Sequence, residues 1–428
     1  MDTQIFSSNG PPSTSVRSFS EALLRAMISA AHEKHAHPIP SPDVAQGTDT
    51  DWNARLTPVR HRLAVIIGST ADENILRPLV RLLNRPVNLL STSGVDDDYP
   101  DHVTAVVYTH TSDRHANCPF LETEYPDLFR SLNTYTALLE ALRPDGLLLL
   151  WDGSMPPALW VSAAARSGVP VVAWMRTGSP APAELSALAR VLPPTTDLSS
   201  LQCTVREHLP VAYLRQTAEP RLHIGCGTCL AEGWLNVDAC PLPRADYMDA
   251  EAPFPFPDNA FDYIFSEHLF EHLSYTGGRH MLAEAYRVLK PGGILRLTMP
   301  CLEFLHALLA EPDRPEHRRY IAWSTASFAP DVAADFPPGH IPAMFVVNHF
   351  MRLWGHRMIY DRSTLSAMLR RQGFSSLCYP PLGQSTHPRL AGMERHGTVI
   401  PPWANALESM TIEAIKPPTD HTHDHETE

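Results

Sequence analysis

Apolar and polar positions along this chain switch repeatedly between two periods. Short apolar runs of strand length alternate with stretches whose apolar residues recur every three or four positions, the pattern of buried strands and amphipathic helices. Residues 62–68 (RLAVIIG) predict a buried strand entering a turn at Ser69 and Thr70. Residues 74–83 predict a helix, 87–90 and 103–108 short strands, 135–142 a helix, and 146–151 a strand. A helix over 158–166, stopped by Gly168 and Pro170, leads into a strand over 169–174. Near Pro220 the alternation restarts, with strands over 222–225, 234–237, 246–248, 261–265 and 294–298 and a helix over 280–289. A helix over 363–371, a strand over 375–378 and a last strand over 409–415 complete it. Such alternation implies parallel sheets covered by helices. The expected fold class is α/β: two Rossmann-like three-layer α/β/α domains, over 58–215 and 216–417. Residues 1–57 read as a disordered or helical segment and linker, with a helix over about 18–34. Residues 418–428, with His421, His423 and His425, read as a disordered tail.

Composition narrows the function classes. Apolar residues make up 44% and charged residues 19% of the 428, as in soluble globular proteins. The 41 prolines, several of them paired, predict rigid loop corners. A formal charge of −13 excludes a broad nucleic-acid surface. Arg314, His317, Arg318 and Arg319 form one local basic cluster, read as a solvated loop. Seven scattered cysteines make no disulfide framework, and the Cys226–Cys229 pair lacks a second pair to complete a zinc site. No metal is therefore expected. No run approaches the ~18 apolar residues of a membrane span, and the N-terminus lacks a secretory pattern, so the cytoplasm is the expected location. A homo-oligomer is compatible with all of this.

Chemistry concentrates after residue 220. In LHIGCG, Gly225 and Gly227 follow a buried strand, where glycine permits a tight turn and close approach of a ligand. Asp238 ends the next strand; it can accept hydrogen bonds from a ribose or simply form a turn. A third strand ends in Met248-Asp249-Ala250-Glu251, where a carboxylate can accept from an adenine amino group. Phe254 and Phe256 follow, able to wall a base or fill core. Arg287 to Gly293 (RVLKPGG) reads as a helix end stopped by proline and glycine.

Taken in order, these motifs resemble the Rossmann-like, class I S-adenosylmethionine-dependent methyltransferases, especially the small-molecule branch that includes the quinone methyltransferases. MDAEAPFPFPDNAFDYIFSEHLFEHL and EAYRVLKPGGILRLTMP carry the resemblance. HIGCG and GWLNVD are similar to a subgroup often associated with surface-glycan genes. The similarity is strong over residues 221–300 and looser out to SMTIEAIK. It implies a final antiparallel strand and S-adenosylmethionine as cofactor. Gly225, Cys226 and Gly227 would pass under its methionine part, Asp238 would hold the ribose, and Asp249 with the Ala250 backbone would read the adenine. Ser266, Glu267 and His268 would lie beside the sulfonium. One departure is plain: Cys229 stands where a third glycine is expected, and only 13 positions separate Gly225 from Asp238, too few for a full helix.

The acceptor would be a hydroxyl or amine of a small polar metabolite, sugar or glycan, and a histidine base would suit a hydroxyl. His268 and Glu267 are the nearest candidates, with Glu271 and His272 behind them. His268-x-x-Glu271-His272 also fits a zinc-protease signature, but it follows a sheet strand inside the methyltransferase pattern. Residues 320–360 are rich in aromatics and histidine; Asn348 and His349 form the leading base-and-orienter pair there, with His356 next. Residues 62–178 faintly resemble the first half of UDP-N-acetylglucosamine epimerases and related glycosyltransferases, through VIIGSTADENILRPLVRLL and the segment around Trp151-Asp152-Gly153-Ser154. Two alternatives stay open: a non-catalytic scaffold or sensor on the cofactor fold, and a bifunctional protein whose first domain binds a nucleotide-sugar.

Overall fold

The computed structural model describes residues 20–27, 62–66, 73–91, 103–107, 126–151, 155–176, 181–240, 242, 244–337 and 339–418. The chain divides into two compact units, one of residues 1–216 with 255–257, the other of residues 217–254 with 258–428.

The first unit runs β1 (Leu63–Ile66), α1 (Glu73–Leu83), β2 (Val87–Ser91), β3 (Val103–Val107), α2 (Pro126–Leu142), β4 (Gly146–Trp151), α3 (Met155–Arg166), β5 (Val171–Met175), β6 (Arg190–Leu192) and α4 (Leu198–His208). Its six strands lie in the order β3-β2-β1-β4-β5-β6, and every pairing is parallel. Alternate side chains feed two cores, as the strand period of two requires. Ala64, Leu147, Leu149 and Ala173 join Leu132, Leu139 and Trp160 of α2 and α3 on one face. Leu63, Val65, Leu148 and Val172 join Leu76, Leu83 and Leu201 of α1 and α4 on the other. The helix α2 begins nine residues before the expected Tyr135. Its first turns carry Ser131, Thr134 and Thr136, whose hydroxyls donate to carbonyls one turn back, among Leu128, Phe129 and Leu132, which are buried in the core. Residues 67–72 and 152–154, after β1 and β4, lie outside the described residues, as do most of the expected N-terminal helix and the histidine tail.

The second unit runs β7 (Arg221–Ile224), β8 (Leu235–Asp238), β9 (Asp246–Tyr247), β10 (Phe261–Glu267), α5 (Tyr275–Val288), β11 (Leu289–Pro300), α6 (Leu302–Ala310), α7 (Pro315–Phe328), α8 (Met344–Arg352), α9 (Arg362–Gln372), β12 (Ser375–Cys378), α10 (Pro402–Glu408) and β13 (Ser409–Ile415). The sheet order is β12-β13-β11-β10-β7-β8-β9. Only β13 runs antiparallel to its neighbours, β11 and β12. The strand order reverses beside β7, the position where doubly wound sheets hold their ligands.

Two elements exceed expectation for identifiable reasons. The helix α5 starts at Tyr275, capped by the Ser274 hydroxyl accepting from Gly277 N, and passes through Gly277 and Gly278. A Cβ on Gly277 would overlap the Glu251 carboxylate, and one on Gly278 would press Phe270 and Tyr360, so close packing keeps these glycines in the helix. The strand β11 absorbs Pro291-Gly292-Gly293, expected as a turn. Gly292 N donates to Lys416 O and Lys416 N to Gly293 O, so the glycines form an irregular start to the pairing with β13. Phe254 and Phe256 are both buried.

A charged knot sits inside this sheet. Arg296 on β11 is fully buried and pairs with Glu413, its cross-strand neighbour on β13, and with Glu394, both at 2.6 Å. Thr298 also donates to Glu394, at 3.0 Å.

Candidate functional site

The candidate site lies at the carboxyl ends of β7, β8, β9 and β10. Leaving β7, the chain turns at Gly225 (φ 69°) and Gly227 (φ 49°), a backbone region that residues with a Cβ enter at a cost. The two glycines serve different ends. A Cβ on Gly225 would lie 2.8 Å from the Leu269 side chain, so Gly225 is empty because the segment after β10 packs on it. A Cβ on Gly227 would meet nothing within 4 Å, so this turn faces open space.

Asp238 ties the turn to the next strand. Its carboxylate accepts from Gly227 N at 2.9 Å and from Cys240 N at 2.8 Å. Its backbone carbonyl accepts from Met248 N at 3.0 Å, which seats the end of β9 alongside. Asp249 accepts from Glu251 N at 2.8 Å. Glu251 in turn accepts from the Ser274 amide and hydroxyl, at 2.9 and 2.7 Å, and so anchors the start of α5. The structure therefore brings Gly225, Cys226, Gly227, Asp238, Asp249 and Ala250 into one connected rim. No helix intervenes between β7 and β8; residues 225–234 are turns. The Asn236 side chain organises them, accepting from Ala231 N and donating to the carbonyls of Ala231 and Trp234.

Two groups on this rim are chemically quiet. The Cys226 thiol is buried, and burial, with the Asp238 charge beside it, pushes it up to about 12, so it stays protonated. His223 on β7 is pushed down to about 4 by burial, although Asn236 bonds it at 3.1 Å.

At the end of β10, Ser266 is buried and its hydroxyl has no hydrogen-bond partner. Glu267 differs from the expectation of a catalytic carboxylate. Its two oxygens accept from the backbone amides of Arg395 (2.7 Å) and His396 (2.9 Å), so it clamps a loop distant in sequence. His268 adopts φ 50° and is held at both ring nitrogens, by Glu271 at 3.0 Å and by the Ser409 hydroxyl at 3.2 Å. Burial opposes charging this ring, yet the hydrogen bond and charge of Glu271 hold it above the usual histidine range. His396 stacks on it, ring centres 3.8 Å apart, and stays partly exposed, with Glu408 at 3.6 Å. His396, Ser409 and Glu408 carry no sequence signal that would attach them to this strand end.

The expected pairing of Asn348 with His349 is not formed. Both lie on α8, but Asn348 is exposed and donates back to Met344 O at 2.8 Å, as its position four residues on dictates. His349 has a buried Nδ1 without a partner and sits near Trp354 in an aromatic cluster that continues to His356 and His272. A cavity of about 390 Å³ opens elsewhere in the β11–β12 insertion, lined by Leu309, Arg318, Ile321, His340 and Met344. The basic cluster disperses: Arg314 pairs with Glu311 and Glu316, His317 is buried against Glu311 O, and Arg319 lies over the Trp403 ring.

The rim fits S-adenosylmethionine by its own features: a glycine turn open toward solvent, a carboxylate with spare acceptor capacity at the second strand end, and an orphaned buried hydroxyl at Ser266. No helix of the described residues is long and apolar enough to cross a membrane.

Residues 222–297 match the family model described as a methyltransferase domain. Among solved structures, a SAM-dependent methyltransferase from Archaeoglobus fulgidus is 17% identical, over 51% of this chain and 94% of that one, with a TM-score of 0.28. A SAM-dependent methyltransferase from Thermotoga maritima is 16% identical, over 48% and 87%, with a TM-score of 0.27. A methyltransferase from Haloferax volcanii, solved in complex with the Trm112 methyltransferase activator, is 14% identical over 48% and 87%, with a TM-score of 0.26.

Proposed function

We propose that the second unit, which carries a class I S-adenosylmethionine-dependent methyltransferase domain, methylates a hydroxyl or amine of a small polar metabolite, sugar or glycan. When bound, the cofactor supplies an electrophilic methyl on a sulfonium. Gly225 to Gly227 would cradle it, Asp238 would accept from its ribose hydroxyls, and Asp249 with the Ala250 backbone would address the adenine. Ser266 offers its hydroxyl at the end of β10.

The observation that carries the acceptor side is the stacked pair His268–His396. His268 is committed at both nitrogens, so it positions rather than reacts. His396 is the accessible ring, fixed by Glu267 through its own backbone amide. It takes the proton from an acceptor hydroxyl, a contribution of about 10²–10⁴ in rate for a well-placed base. The helical insertion between β11 and β12 supplies contacts to the acceptor.

The test is formation of S-adenosylhomocysteine by the full chain across a panel of hydroxylated and amine acceptors. His396→Ala is expected to lower kcat about 100-fold with cofactor affinity within twofold of the parent. Tight binding of S-adenosylhomocysteine without turnover on any acceptor would replace this reading with that of a cofactor-binding scaffold.

A further inference from the structure

We infer that Glu271, His272 and His356 form a binding site for a divalent transition-metal ion. One donor atom from each lies within 4.8 Å of the other two. Two imidazoles and one carboxylate are a donor set suited to Zn²⁺ or Co²⁺ and unsuited to the all-oxygen preference of Mg²⁺ and Ca²⁺. Donors bound to one tetrahedral ion stand about 3.4 Å apart, so small side-chain rotations close the site. Three protein ligands leave a position open for water or a substrate oxygen.

Each ligand is prepared for the role. Glu271 is 1% exposed; one oxygen bonds His268, and the other, Oε2, is buried with no partner. A buried carboxylate oxygen left bare is costly, and a cation satisfies it. His356 Nδ1 bonds the Phe350 carbonyl at 2.8 Å, which leaves Nε2 as the donor and is the orientation a metal-bound histidine takes. His272 stands 5.0 Å from His356, ring centre to ring centre, with its Nδ1 facing Gly355.

The backbone holds these parts together across 85 residues of sequence. The amides of Arg357 and Met358 both donate to Glu271 O, at 2.8 and 3.0 Å. Before them, Trp354 (φ 57°) and Gly355 (φ 79°) take left-handed conformations that turn the chain from α8 toward His272. A bulky non-glycine residue at φ 57° is strained, and such strain collects at functional sites. The zinc-protease signature would have used His268; in the fold His268 instead braces Glu271 from behind. The inference stands independently of methyl transfer.

The experiment titrates chelator-stripped full-length protein, without an affinity tag, with Co²⁺, followed by visible ligand-field absorption, and then displaces it with Zn²⁺. One equivalent is expected, with a rise in Tm on metal addition. His272→Ala and His356→Ala should each weaken Co²⁺ at least tenfold and abolish the Tm rise, while circular dichroism confirms their fold. The triple change His421→Ala, His423→Ala, His425→Ala should leave the one equivalent intact. Should either ligand variant misfold, Glu271→Gln takes its place, with the same weakening expected. Loss of binding in the tail variant, or unchanged binding in a folded ligand variant, overturns the site.

Discussion

Replacing Asp238 with asparagine removes charge and half of the acceptor capacity while keeping shape. In the native site one carboxylate accepts from two backbone amides, Gly227 N at 2.9 Å and Cys240 N at 2.8 Å. Asparagine has one acceptor oxygen; its NH₂ must face the other amide, donor against donor. A lost hydrogen bond to a charged group costs about 1.5–3 kcal/mol, and the side chain is half-buried, so the lower end applies. Apo stability should fall by about 1.5–2 kcal/mol, read by urea denaturation. Affinity for S-adenosylhomocysteine should fall as well, because the same oxygens would meet the ribose. A total loss of about 1.4–2.8 kcal/mol in binding is a 10- to 100-fold rise in Kd by calorimetry. A variant that loses stability but binds within twofold of the parent refutes the ribose role and leaves Asp238 a turn residue.

Three further outcomes are expected. His223 titrates near 4 in the fold and near 6.5 unfolded, so the unfolded chain binds the extra proton between those values; stability is full above about pH 6.5 and falls by up to about 3 kcal/mol toward pH 4. His223→Asn should flatten that part of the urea-denaturation profile, and an unchanged profile would exclude His223 as its source. Arg296→Met should destabilise by about 3–5 kcal/mol by stranding Glu394 and Glu413, and adding Glu394→Gln and Glu413→Gln should recover most of it; no recovery in denaturation curves would mean the loss is packing. Gly225→Ala should cost about 1–3 kcal/mol and Gly227→Ala less, because only the first meets Leu269; equal losses would contradict the packing role given to Gly225.

Much of the fold was legible in the apolar pattern: Gly146–Trp151, buried along its length, stands where its apolar run puts it, and Ser409–Ile415 stands where Met410, Ile412 and Ala414 alternate. Boundaries failed where polar or glycine residues are tolerated for tertiary reasons. The start of α2 interleaves Ser131, Asn133 and Thr134 with the buried Leu128, Phe129 and Leu132, and Gly277 and Gly278 sit in α5 because Glu251, Phe270 and Tyr360 occupy the space a Cβ would need. The rim of Gly225, Asp238 and Asp249 was readable as consecutive strand ends. The surroundings of His268 were not. His396 reaches His268 through a loop clamped by Glu267, and Arg296 meets Glu394 from 98 residues away; contacts of that range leave no local periodicity. Asn348 and His349 are neighbours in sequence, yet on a helix adjacent residues face different ways.

The central claim is a cofactor cleft over the ends of β7, β8 and β9. Hydrogen exchange of the full chain with and without S-adenosylmethionine tests it most directly. Slowed exchange concentrated in residues 225–229, 238–240 and 247–252 is the predicted result. Unchanged exchange there at saturating cofactor, or protection confined to other segments, would contradict it.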